Sequence, residues 1–179
     1  MTDEEHTTRT IRIDSKLDDI LRDEAENNDL SVNSIIEELI KRYVYNDRFF
    51  ASDQVISLAS PTLALFLNGL NREYILESGR QEGEIRARTN LLIRGLPLSY
   101  ESLKWFIMDV LDKYRGWFNC SYHEMDDFYM FHLRHNHGEK WSCFIAGYLE
   151  ATVKDILDIG VDAEILDGTV TLRIPMKMV

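Results

Sequence analysis

Hydrophobic positions change period several times along these 179 residues, and each change marks an element. From Thr10 to Asp14 polar and apolar residues alternate, which predicts a strand with Ile11 and Ile13 on one side and Thr10 and Arg12 on the other. Asp14 or Ser15 then caps a predicted helix carrying Leu17, Ile20, Leu21 and Ala25 at helical spacing. Asn27-Asn28-Asp29 breaks it, because these short side chains compete for backbone hydrogen bonds. Asn28 can take the left-handed conformation of a tight turn. Ser31 starts a second helix, with Val32, Ile35, Ile36, Leu39, Ile40 and Tyr43 on its apolar face.

Further on, Val55–Leu58 reads as a strand. Ser60-Pro61 opens a helix through Leu63, Leu65, Phe66, Leu67 and Leu70, continuing to Ile75-Leu76 and ending near Gly79. Asn90–Arg94 suits a strand, and Ser99 caps a helix bearing Leu103, Phe106, Ile107, Val110, Leu111 and Tyr114. Trp117–His123 and Phe128–Arg134 form a predicted hairpin, Glu139–Leu157 an amphipathic helix, and Val161–Leu166 with Thr169–Ile174 a second hairpin turning at Asp167-Gly168. From residue 90 the order is βαββαββ, a ferredoxin-like sandwich of helices on a sheet with one added strand. The expected organisation is a disordered leader at 1–7, a small domain at 8–45, a linker at 46–53 and an α+β domain at 54–179.

A lone six-residue strand with two short helices cannot bury Ile11, Ile13, Leu17, Leu21, Ile36 and Ile40 by itself. Two intertwined copies would give the strand a partner and close the core, so an obligate homodimer through the N-terminal strand is expected, with a tetramer as a further assembly.

Residues 8–44 resemble the Arc/MetJ-type ribbon-helix-helix family of transcriptional regulators, through T-R-T-I-R-I-D, S-K-L-D-D-I-L and L-S-V-N-S-I-I-E-E-L-I. The resemblance implies an intertwined dimer whose two-stranded ribbon enters the major groove of double-stranded DNA. It would place Thr8, Thr10 and Arg12 against base edges, where arginine binds guanine and threonine can donate, accept or touch a methyl group. Arg9 and Lys16 would lie nearer the phosphates, and the Ser31 hydroxyl with the amides of Val32 and Asn33 would anchor another phosphate.

The net charge of −11 argues against nucleic acid at first sight, since phosphate binding runs on lysine and arginine. Local placement decides instead. Between His6 and Lys16 stand Arg9, Arg12 and Lys16 against a single acid, Asp14, and charges beyond a Debye length are screened.

Four histidines and both cysteines fall between residues 120 and 143. The architecture is similar to that of the nickel-responsive repressors, which join a ribbon-helix-helix module to a ferredoxin-like domain. That likeness implies a metal site from His135, His137 and Cys143, with His123 as the remaining ligand and Ni, Cu or Zn as candidates. The alternative is that His135 or His137 caps the 139–157 helix while Trp141 and Cys143 pack.

Cys120 and Cys143 suggest no disulfide framework, and no glycine-rich phosphate loop, GxSxG or HExxH points to an enzyme. No run is apolar enough to span a bilayer, and the polar N-terminus lacks a secretory core, so a cytoplasmic protein is expected. Two other functions fit the pattern. One is the antitoxin of a toxin–antitoxin pair. The other is a dimeric interaction or small-molecule-binding protein that does not touch DNA.

Overall fold

The computed structural model describes residues 7–49 and 55–176. It divides into two compact units, one ending at Arg48 and the other beginning at Phe49. The expected leader falls mostly, and the expected linker partly, outside the described residues.

The first unit is helical. Asp14 caps α1 (Ser15–Asn27) by accepting from the Lys16 amide, and Ser31 caps α2 (Val32–Tyr45) by accepting from the Ser34 amide. The turn between them uses Asp29 at φ 54°, not Asn28, as its left-handed residue. Residues 8–14 carry no regular element, and among the described residues no strand precedes Asn119. The chain therefore starts with helices, and the expected N-terminal β-ribbon is not its fold. An isolated strand has no ladder to join within one chain, so alternation over five residues is too little to make one.

The second unit holds α3 (Ser60–Asn68), α4 (Arg72–Leu92), α5 (Tyr100–Trp105) with a π-helical continuation at Phe106–Tyr114, then β1 (Asn119–Glu124), β2 (Phe128–Arg134), α6 (Glu139–Leu157), β3 (Asp162–Leu166) and β4 (Thr169–Pro175). Three expected elements are corrected here. Val55–Leu58 forms no strand. The helix begun at Ser60 stops at Asn68, and Asn71 caps a new one. Asn90–Arg94, expected as a strand, is the end of α4 and the turn after it. The unit is α+β, but the ferredoxin-like reading fails with the loss of that first strand.

What remains is two hairpins joined by α6. They form one antiparallel sheet in the order β1-β2-β4-β3, with β2 and β4 paired at its centre. Phe131 faces Leu172 and Leu133 faces Val170, so alternate residues give an apolar inner face. The core joins that face to Leu103, Phe106, Ile107, Val110 and Leu111 and to Ile145, Leu149 and Val153 of α6.

The closest helix contact is α4 on α6. Ile75, Gly79, Gly83 and Ala87 recur every four residues and are all buried. A Cβ at Gly79 would run into the Phe144 carbonyl, one at Gly83 into that of Tyr148, and one at Gly147 into that of Leu76. Outside this seam Arg88 forms a two-pronged pair with Asp155 at 2.9 Å, and Arg80 meets Glu150 at 2.9 Å. Among the described residues no helix is long and apolar enough to cross a membrane.

Candidate functional site

In the first unit, Thr8, Arg9, Thr10 and Arg12 are exposed, as is Lys16 at the start of α1. The three cations have no acid partner among the described residues, and the nearby Asp14 carboxylate is occupied in capping α1. Arg22, by contrast, is neutralised by Asp18 at 2.7 Å, and Lys41 by Glu37 at 2.7 Å. The Ser31 hydroxyl is already engaged with Ser34. The amides of Val32 and Asn33 are first-turn donors that no helix can satisfy internally.

These polar groups sit on a unit with almost no core. Ala25 is its one fully buried apolar side chain among the described residues, while Ile11, Leu17, Ile20, Leu30, Leu39, Ile40 and Tyr43 are all more than half exposed. Leu17 with Ile20, and Leu39 and Ile40 with Tyr43, fall at the spacing of one helix face.

In the second unit the expected metal ligands do not assemble. His123 stands on β1 opposite Met130, on the sheet face away from the core, while Asn119 of the same strand pairs with Arg134 just before His135. Four strand residues, roughly 13 Å, therefore separate His123 from the other two histidines. Cys143 is fully buried in α6, and its Sγ accepts from Arg72 Nε at 3.3 Å. His135 and His137 do meet, with stacked rings 5.6 Å apart. Their nitrogens are used within the protein. His135 Nδ1 accepts from the His137 amide and Nε2 pairs with Ser142 Oγ at 3.0 Å. His137 Nδ1 pairs with Ser60 Oγ at 2.5 Å, and the Gly116 backbone favours the protonated form of its ring. No group of three or more His, Cys, Asp or Glu side chains able to hold a metal occurs among the described residues.

Neither histidine supplies the backbone cap of α6, which starts at Gly138 (φ 81°) with no side-chain cap. Burial pushes the His135 pKa down to about 4, helped by neighbouring His137 and opposed by Asp167. Burial lowers that of His137 as well, against the Gly116 backbone. Both rings are neutral walls at pH 7.

They bound an open cleft of about 530 Å³ that also takes in Ser60, Lys113, Asn119, Arg134 and Asn136. Asp112 lies at its edge, accepting from the Cys120 amide at 3.0 Å. Burial raises that carboxyl, and burial beside it lifts the Cys120 thiol to about 12, which disfavours its thiolate. Behind the cleft Trp117 packs edge-on against Trp141, Phe144 and Tyr148, and the Trp141 indole donates to the Trp117 carbonyl at 3.0 Å. The spacing His135-Asn136-His137 marked this place in the sequence. Ser60, Lys113, Asn119 and Arg134 carried no local signal, because Ser60 meets His137 across 77 residues. No family model matches the chain, and no curated protein matches it.

Proposed function

We propose that the chain is a dimeric, DNA-binding transcriptional regulator of the cytoplasm, whose first unit grips DNA and whose second unit senses an effector or assembles protomers. One observation carries this reading. The first unit presents two apolar helix faces that its described residues leave uncovered, beside three cations that no described residue neutralises. Arg9, Arg12 and Lys16 supply charge for phosphates and an arginine fork for a base edge, and the amides of Val32 and Asn33 offer a second phosphate contact. The dimer doubles this set.

Retardation of DNA fragments from the region upstream of the gene by the purified protein tests the proposal. Wild type is expected to retard at least one fragment in the presence of nonspecific competitor. Thr10→Ala with Arg12→Ala is expected to cost tenfold or more while the dimer persists, about 1–3 kcal/mol for a lost base contact. Unchanged retardation by that variant would exclude the segment from recognition. Absence of any retardation at low salt would leave a dimeric interaction protein as the function.

A further inference from the structure

We infer that the cleft beside His135 and His137 is a binding site for a small organic carboxylate. The inference rests on reading the second unit as the sensing half. The Arg134 guanidinium, at the end of β2, makes no ion pair or hydrogen bond with any described residue, although Arg72, Arg80, Arg88 and Arg173 of the same unit all find acids. The side-chain amides of Asn119 and Asn136 are likewise uncommitted among the described residues. Lys113 adds a second cation to the lining.

The electrostatic balance favours a singly charged, planar anionic group. Asp112, whose carboxylate is partly satisfied by the Cys120 amide, lines the cleft with Arg134 and Lys113, and Asp167 lines the adjoining cleft that shares Asn119, Arg134, His135 and Asn136. A dianionic phosphate would be repelled more strongly by these acids than a carboxylate would. The guanidinium fork matches a carboxylate with two parallel hydrogen bonds, and the two free amides suit polar substituents on the rest of the ligand. The imidazoles are held by Ser60 and Ser142, so they shape the wall without moving to meet the ligand. A volume of about 530 Å³ is the size of a metabolite site.

Thermal melts of the full chain, without DNA, would use lactate, glycolate and benzoate as probes, with inorganic phosphate and sodium chloride at equal ionic strength as controls. At least one carboxylate is expected to raise the Tm saturably by several degrees. Arg134→Gln, an exposed position outside the core, is expected to weaken that carboxylate tenfold or more with its ligand-free Tm unchanged, and Arg134→Lys to recover only part. Shifts no larger than those from chloride, equal affinity in Arg134→Gln, or a tighter saturable response to phosphate would each overturn the assignment. Because the readout needs no DNA, a saturable carboxylate response in a protein that fails to retard DNA would keep the cleft and discard the regulator.

Discussion

A histidine with both nitrogens engaged and little exposure responds to acid in a direction that can be worked out in advance. His135 has its pKa near 4 in the folded chain, against 6.5 when exposed. Between those values the unfolded chain binds a proton that the folded chain refuses, so His135 favours folding fully above pH 6.5 and loses that contribution as pH falls towards 4. The full swing is about 3 kcal/mol. His137 shifts in the same direction. Urea titrations at intervals from pH 7.5 to 4 should show wild type losing stability faster than His135→Gln, which keeps a donor for Ser142 and does not titrate. Parallel pH profiles would mean that the ring is solvated enough to protonate in place. Residue chemistry also decided how far the site could be read in advance. The pair His135 and His137 stands out by spacing alone, and so do the cations Arg9, Arg12 and Lys16. A ligand set needs distances, and sequence spacing cannot reveal that His123 lies along a strand leading away, or that Arg72 meets the Cys143 thiol.

At the scale of elements, capping residues and long periodic runs were legible, while short runs and glycines misled. Glu139–Leu157 and Phe128–Arg134 coincide with their expected bounds because burial forces a sustained period on them. Asn90–Arg94 looked like a strand because five residues cannot distinguish a buried strand from a buried helix end. Gly79 looked like the end of a helix, since a glycine inside one costs about 1 kcal/mol relative to alanine, yet Gly83 follows it within the same helix. Their separation by four, continued to Ala87, was the available sign that they face a neighbouring backbone. The seam gives a sign contest that experiment can settle. Gly147→Ala gains helix propensity but drives a methyl group into the Leu76 carbonyl, with the Arg80 amide close behind. Overpacking in a rigid core costs about 1–3 kcal/mol and often more where the obstacle is backbone. A net loss of roughly 2 kcal/mol is expected, or about 4–8 °C in Tm for a chain of this size. A raised Tm would show that α4 and α6 can slide apart without penalty.

For the whole molecule, the question is what covers the first unit. Seven of its described apolar side chains are more than half exposed and, at on the order of 100 Å² each, amount to roughly 700 Å² per copy, close to the ~800 Å² per partner of a standard interface. A second copy is the partner that brings an equal and complementary face at every encounter, since a two-fold axis makes one patch serve both sides. Charge also separates the two roles proposed for the unit. The acids of α1 and α2 are partly neutralised at Asp18 and Glu37, whereas Arg9, Arg12 and Lys16 meet no acid among the described residues. Sedimentation equilibrium at micromolar concentration should therefore give twice the 20.9 kDa of one chain. Leu39→Glu with Ile40→Glu places four carboxylates in the dimer interface and should return the single-chain mass. The second unit contains neither substitution, so its cooperative melt should survive. DNA retardation should fall with the dimer, because halving the cations lowers both the affinity and its dependence on salt. A wild-type protein that sediments as one chain would remove the dimer, and retardation undiminished in the double variant would show that a single copy of the basic segment suffices.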